Sequence, residues 1–206
     1  MIYVLNKKVS TTLIVKNSRF INELFPCTTQ QQAKDLIKAQ KTKYADASHV
    51  VHAFVLGFNC EVLGSSDAGE PSGTAGRPML EVLKGSNATN LLLTVTRYFG
   101  GTLLGTGGLV KAYSQCAKSA IDEAISTTSL EEYVAKKAFS FTADYALYDT
   151  IKRLMQNYAI SNLIEDFALN VTVKGKIVDA EYDSFVLAVK NLSAGKISVT
   201  CITDNF

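Results

Sequence analysis

The sequence predicts an α+β protein with two domains. Strand-like apolar runs outnumber helix-like segments, a polar run at Ser126–Ser129 interrupts them, and the segments after that run follow the order β-α-β-β-α-β. At 206 residues, of which 47% are hydrophobic, the chain can bury one large core or two small ones. We therefore expect domains at residues 1–128 and 129–206.

The first domain is expected to contain five strands and three helices. Thr28–Lys43 shows the apolar spacing of an amphipathic helix, and Pro78 suits the first turn of a short helix that ends near Lys84. A long helix with one apolar stripe begins near Gly107, and Thr106 is its expected N-cap. Strands are predicted where apolar residues alternate or run together: 11–15, 20–25, 50–58, 60–63 and 91–99.

The second domain has the element order of a ferredoxin-like domain. Its helices are predicted at Asp144–Tyr158 and Asp179–Leu192, and Asp179 is the expected cap of the second. Its strands are predicted at 133–141, 160–165, 169–174 and 197–201.

Composition favours a soluble protein of the cytoplasm. No stretch approaches the ~20 apolar residues of a membrane-spanning helix, and the first residues lack the pattern of a signal peptide. The four cysteines stand singly, without a C-x-x-C pair, which is typical of reduced, buried thiols. We therefore expect a cytoplasmic protein with no membrane partner.

The formal net charge of +2 is too small to indicate a nucleic-acid-binding protein by itself. Residues 1–129 carry 13 basic and 9 acidic side chains, whereas residues 130–206 carry 8 and 10. A phosphate-rich partner is therefore expected at the first part of the chain. Lys34, Lys38 and Lys41 share one face of the first predicted helix, a pattern typical of a solvated surface that leaves an interaction role open.

Glycine is concentrated in one part of the first domain. Eleven of the 13 glycines lie between Gly57 and Gly108, where they frame two blocks, residues 65–78 and residues 97–111. Such density indicates a backbone that turns tightly or lies close to another group. The two glycine blocks are therefore the candidate functional region.

Several known motifs are excluded in this region. Gly64-x-x-x-x-Gly69 has the glycine spacing of a P-loop, but Glu70 and Pro71 stand where Lys and Ser or Thr are required. The dinucleotide fingerprint lacks its third glycine, and no nucleophile is accompanied by a suitable base. His49 and His52 are three residues apart in a predicted strand, so they point to opposite faces and cannot share a metal. No cofactor is therefore expected.

Arg97 is the most informative charged residue, because strand alternation places it with Leu91, Leu93 and Val95 on one side. If that side faces the core, the guanidinium requires an acidic partner or an anion. Asp67 and Glu70, in the other glycine block, are the candidates. A structural ion pair and a ligand-binding role both remain open at this point.

The second glycine block leads into the predicted long helix, whose N-terminus favours an anion such as phosphate or carboxylate. Lys111 lies in the first turn, where it opposes the helix dipole and is placed to meet such an anion. The alternative is a tight turn with close helix packing and Lys111 in water. The glycines concerned are Gly100, Gly101, Gly105, Gly107 and Gly108.

Four segments together closely resemble the YigZ/IMPACT family. They are SRFI at residues 18–21, ASH at 47–49, SDAGEPSGTAGRPML at 66–80 and RYFGGTLLGTGGLVKAY at 97–113. The resemblance implies a first domain with the fold of ribosomal protein S5 domain 2 and a second, ferredoxin-like domain similar to domain V of elongation factor G. It also implies that His52 occupies a packing position, since family members usually carry an aromatic residue there.

The resemblance implies a link to translation, because eukaryotic IMPACT proteins regulate translation by occupying a partner of a stress kinase. We therefore expect a non-catalytic protein that binds a protein or RNA partner of the translation apparatus in a glycine-rich cleft. Asp67, Glu70, Arg77, Arg97 and Lys111 are expected to line it. The alternative is an enzyme or small-molecule binder that holds a phosphorylated or carboxylated ligand near Gly107, with Asp67 and Glu70 as metal ligands or acid and base.

Overall fold

The chain forms two units, Met1–Tyr133 and Val134–Phe206, in the computed structural model, which describes residues 1–203. Both units combine helices with β-sheet, as the sequence predicts. The strands are β1 (Tyr3–Leu5), β2 (Val9–Val15), β3 (Ser18–Pro26), β4 (His49–Leu56), β5 (Val62–Ser66), β6 (Ala88–Thr89), β7 (Leu91–Tyr98), β8 (Leu130–Glu132), β9 (Lys136–Ala143), β10 (Ile160–Phe167), β11 (Val171–Val178) and β12 (Thr200–Cys201). The helices are α1 (Gln30–Lys43), α2 (Gly76–Gly85), α3 (Thr106–Ser126), α4 (Tyr145–Met155) and α5 (Asp179–Leu192).

A five-stranded sheet of order β2-β3-β7-β4-β5 forms the centre of the first unit. All of its neighbouring strands are antiparallel. Helices α2 and α3 pack on one face, around Leu93, Val95 and Tyr113, and α1 packs on the other, around Cys27 and Leu92. Strand β7 is covered on both faces, which explains why its sequence is a continuous apolar run rather than an alternating one.

Three short strands form a second sheet of order β6-β1-β8 in the same unit. Strand β1 pairs in parallel with β6 and antiparallel with β8. Tyr133 also donates its backbone N–H to Ile2, at 2.8 Å. Because β8 and Tyr133 pair with the start of the chain, the first unit extends to Tyr133, beyond the polar run at Ser126–Ser129.

The second unit has the element order β-α-β-β-α-β, with an antiparallel sheet of order β10-β11-β9-β12. Helices α4 and α5 cover one face, and Phe139, Ile151, Val173 and Phe185 are buried between the helices and the sheet. The Phe139 and Phe185 rings lie 5.0 Å apart, centroid to centroid. Asp144 caps α4 by accepting the backbone N–H of Leu147.

The structure corrects four local predictions. Asp179 does not cap α5, because the cap position is Val178 and Asp179 is already the first residue of the helix. Residues 133–141 do not form one strand, because β8 ends at Glu132 and β9 begins at Lys136. Thr106 does not cap α3, because the N-cap position is Gly105. Gly105 has a φ of 75°, which glycine adopts readily, and it has no side chain that could accept a capping hydrogen bond. The last strand is only Thr200–Cys201, because pairing with β9 occurs only at those residues.

Gly100 offers a test of how closely the second glycine block packs. A Cβ built on Gly100 would overlap main-chain atoms of Asn17 and Ser18, in the turn between β2 and β3. We expect Gly100→Ala to lower the free energy of unfolding by about 1–3 kcal/mol, because main-chain atoms cannot move aside as a flexible side chain can. Urea unfolding monitored in the first unit measures this loss.

Gly107→Ala is the matched control, since nothing lies within 4 Å of a Cβ at this position in the first turn of α3. It should leave stability unchanged or raise it by roughly 0.5–1 kcal/mol, because alanine loses less backbone entropy in a helix. Equal effects of the two substitutions would contradict this account of Gly100.

Candidate functional site

The two glycine blocks meet at a buried ion pair between Glu70 and Arg97. Arg97 lies at the end of β7 on the side of Leu91, Leu93 and Val95, as strand alternation predicts. That side faces the core, where Arg97 is 6% exposed and Glu70 is 7% exposed. The guanidinium Nη1 donates to Glu70 Oε1 at 2.8 Å. The pair therefore connects the central strand to the loop before α2, and each buried charge has its counter-charge.

Tyr113 on α3 completes this cluster. Its hydroxyl donates to the same Oε1 of Glu70 at 2.7 Å, and its ring packs edge-on against Phe20, with the centroids 5.4 Å apart. Burial, followed by the hydrogen bond to Glu70, raises the pKa of Tyr113 far above its ordinary value, so the hydroxyl remains a donor. Glu70 thus joins β7, α3 and the first glycine block.

Arg97 makes further contacts with Ser18 and with two aromatic rings. Nη2 donates to Ser18 Oγ at 3.4 Å, and Ser18 Oγ also accepts the backbone N–H of Gly100 at 3.2 Å. The guanidinium carbon lies 5.6 Å from the ring centroids of both Phe20 and Phe99. Arg97 Nε is buried and has no hydrogen-bond partner within residues 1–203.

His49 lies beside the ion pair at the start of β4. Its Nδ1 is 3.0 Å from the carbonyl oxygen of Ala68, so Nδ1 carries the proton that this acceptor requires, and Nε2 lies 3.9 Å from Glu70 Oε2. His52 is on the opposite face of β4, where its ring is parallel to that of Phe54. The structure therefore confirms the predicted separation of the two histidines.

Asp67 is not the partner of Arg97 but organises its own loop. Its Oδ2 accepts the backbone N–H of Gly73 at 2.8 Å, and Oδ1 accepts those of Ala75 at 3.0 Å and Gly76 at 2.8 Å. Burial alone would raise the pKa of Asp67, but these three N–H donors outweigh it and lower the pKa below its ordinary value. The carboxylate thus holds the loop against the N-terminus of α2.

A cavity of about 540 Å³ opens above the ion pair, and we call it the Arg97 cavity. Glu70 and Arg97 form its floor with His49, and the first residues of α3 form one wall. Phe99 and Leu103 stand at its rim, 49% and 82% exposed. The cavity thus combines a neutralised charge pair with an exposed apolar rim. Its lining includes His49, Glu70, Arg97, Phe99, Leu103 and Gly105.

The other predicted site residues lie outside this cavity. Gly100 packs on the β2–β3 turn, Gly101 is exposed with φ of 80°, and Gly107 and Gly108 lie in the first turn of α3. Lys111 is exposed on α3. Arg77 lines a separate surface pocket with Gly73 and Lys118. The structure therefore brings Glu70, Arg97 and Gly105 together and leaves Arg77 and Lys111 apart from them.

Sequence reasoning missed Tyr113, Ser18 and the apolar rim. Tyr113 lies on the buried apolar stripe of α3, and a buried tyrosine usually needs a hydrogen-bond partner for its hydroxyl, which is the signal in the sequence that points to it. Phe99 and Leu103 carried no such signal, because exposure in a loop depends on tertiary structure.

Within residues 1–203, no three His, Cys, Asp or Glu side chains come together as a metal site would require. In the same part of the chain, no helix has the length and apolar character needed to cross a membrane.

Comparison with known proteins supports the resemblance seen in the sequence. Residues 16–121 match the family described as the Impact N-terminal domain. The chain is 32% identical over 187 residues to the IMPACT family member YvyE of Bacillus subtilis, covering 91% of this chain and 84% of that protein. It is 33% identical over 186 residues to the IMPACT family member YigZ of Escherichia coli, covering 89% and 82%.

A solved structure shares the whole architecture. The crystal structure of a hypothetical protein superposes with a TM-score of 0.66 at 29% identity, covering 98% of each chain. The α+β arrangement described above is therefore also found in an experimental structure of similar sequence.

The ion pair predicts a strong coupling between Glu70 and Arg97. Arg97→Met leaves the Glu70 carboxylate buried without its counter-charge, so we expect a loss of about 3–5 kcal/mol in the free energy of unfolding. In the double variant Arg97→Met/Glu70→Gln, the side chain at position 70 is neutral, and its amide oxygen can still accept the hydrogen bond from the Tyr113 hydroxyl. Much of the lost stability should therefore be recovered. Urea unfolding of the wild type, both single variants and the double variant gives the coupling. Additive losses would contradict the pairing.

Proposed function

The chain belongs to the IMPACT family, and we propose that it is a non-catalytic cytoplasmic protein, linked to translation, that binds a protein partner at the Arg97 cavity. The observation that carries this proposal is the exposed apolar rim of a concave site whose floor charges are already paired. Phe99 and Leu103 would insert into the partner or receive its apolar side chains.

Of the two partner classes expected from the sequence, protein fits this cavity better than RNA. Among residues 1–203, no lysine lines the cavity, and its arginine is paired with Glu70 at 2.8 Å. A phosphate would have to compete with that carboxylate for the guanidinium. Apolar side chains around a desolvated charge pair are instead the usual composition of a protein-binding hot spot.

Two observations count against the alternative of an enzyme. Asp67 accepts hydrogen bonds from three backbone N–H groups, and Glu70 accepts hydrogen bonds from the side chains of Arg97 and Tyr113. Both carboxylates are therefore engaged in holding loops and are poorly placed to act as acid, base or metal ligand. Of the groups expected to hold an anion near Gly107, only the N-terminus of α3 lies at the cavity, where Gly105 and Thr106 form part of the wall.

The link to translation and the cytoplasmic location rest on family membership. We also propose the S5 domain 2 fold for the first unit and the ferredoxin-like fold of elongation factor G domain V for the second unit. The strand order β10-β11-β9-β12 and the β-α-β-β-α-β sequence support the second assignment. The acidic balance of residues 130–206 argues against RNA binding through that domain.

Co-sedimentation with bacterial ribosomes in a cleared cytosolic extract tests the proposal. Phe99→Asp/Leu103→Asp places two charges at the rim and should abolish association. Because the Phe99 ring lies 5.6 Å from the Arg97 guanidinium carbon, circular dichroism and urea unfolding must show that the variant is folded. The matched control, Ile14→Asp/Ile125→Asp, changes two apolar residues that are 68% and 60% exposed and lie outside the cavity. The control should associate like the wild type.

A photoreactive benzoylphenylalanine in place of Leu103 identifies the contacted molecule. Cross-linking to a ribosomal protein or translation factor is the expected result. Cross-linking to ribosomal RNA would contradict the choice of a protein partner. Equal sedimentation of the rim variant and the wild type would contradict a role for the Arg97 cavity.

A further inference from the structure

A second concave site lies on the other face of the central sheet, between α1 and β4. This α1–β4 groove has a volume of about 650 Å³, within the size range of ligand sites. It belongs to the first unit and shares no lining residue with the Arg97 cavity. Its lining is Gln30, Lys34, Ile37, Lys38, Lys41, Thr42, His52 and Phe54.

One wall of the groove carries an uncompensated row of positive charge. Lys34, Lys38 and Lys41 follow one another along α1 over about 10 Å, at 1.5 Å per residue. None of the three has an acidic partner within 4.0 Å among residues 1–203, whereas Lys8 and Lys43 both pair with Glu23. Three unpaired lysines facing a concave surface attract a polyanion.

The opposite wall presents two rings. The planes of His52 and Phe54 lie within 3° of parallel, with their centroids 6.5 Å apart. Gly64 on β5 makes room for the Phe54 ring, because a Cβ there would overlap its tip. A lysine row that faces aromatic surface fits nucleic acid, whose phosphates and bases each find a matching wall. An acidic peptide would satisfy the lysines and leave the rings without a stacking partner.

His52 is prepared for such stacking rather than for charge pairing. Burial, followed by the charge of Lys41, lowers the pKa of His52 below its ordinary value, so the imidazole is neutral at pH 7. A neutral ring stacks on a base.

We propose that the α1–β4 groove binds single-stranded RNA, with Lys34, Lys38 and Lys41 on successive phosphates and a base against His52 and Phe54. Gln30 at the start of α1 adds a carboxamide that can bond to a ribose hydroxyl or a base edge. Every base can stack on an aromatic ring, and few groups in the groove can bond to the edge of a particular base. We therefore expect weak sequence preference. The site is independent of the partner proposed for the Arg97 cavity.

Fluorescence anisotropy with a labelled oligouridine of about 12 nucleotides tests the groove. We expect the triple variant Lys34→Glu/Lys38→Glu/Lys41→Glu to bind at least about tenfold more weakly. The slope of log affinity against log salt concentration should become shallower by about 2, because each phosphate contact contributes about 0.7 to that slope. The control Lys16→Glu/Lys190→Glu/Lys196→Glu makes the same charge change at exposed lysines outside the groove. It should bind within about threefold of the wild type.

Substitutions of His52 test the wall formed by the His52 and Phe54 rings. His52→Ala should weaken binding about fivefold or more, and His52→Tyr should retain wild-type affinity because a flat ring remains. The absence of wild-type binding up to about 100 µM RNA, or an equal loss in the control and groove variants, would overturn the proposal. Equally tight binding of polyglutamate, or a His52→Ala variant that binds like wild type, would overturn the choice of RNA.

Discussion

The carboxylate of Glu70 is the point on which the first unit depends. Glu70 is 7% exposed, and its Oε1 accepts hydrogen bonds from both Arg97 and Tyr113. Without it, a guanidinium at the end of the central strand would be buried without a counter-charge, at a cost of several kcal/mol. The first glycine block must therefore fold back over β7, and this return forms the floor of the Arg97 cavity.

Strand alternation then divides the chemistry of the unit between the two faces of one sheet. On β4, His49 faces the ion pair and His52 faces α1, because residues three apart point in opposite directions. The first face carries paired charges and an apolar rim, which suits a protein. The second carries unpaired lysines and parallel rings, which suits a nucleic-acid strand. One domain can thus present two different surfaces without moving.

The sequence predicted the elements with long, distinct patterns and missed those that depend on distant pairing. Leu91–Tyr98 and Gln30–Lys43 lie within two residues of their predicted limits, because burial on both faces and helical spacing are local signals. Tyr3–Leu5 and Ala88–Thr89 are three and two residues long, and they are strands only because Tyr3–Leu5 pairs with both Ala88–Thr89 and Leu130–Glu132. A pattern of that length cannot be distinguished from a loop.

The same distinction applies to the site. Alternation placed Arg97 on one side of its strand with Leu91, Leu93 and Val95, but its burial and the choice of Glu70 over Asp67 depend on turns within a glycine-rich loop. Hydrogen exchange in Glu70→Gln tests the central claim most directly. Because Arg97 loses its counter-charge, amides of residues 67–76 and 99–105 should exchange about tenfold faster, with residues 134–203 unchanged. Wild-type protection of both loops would show that the ion pair does not hold the two glycine blocks together.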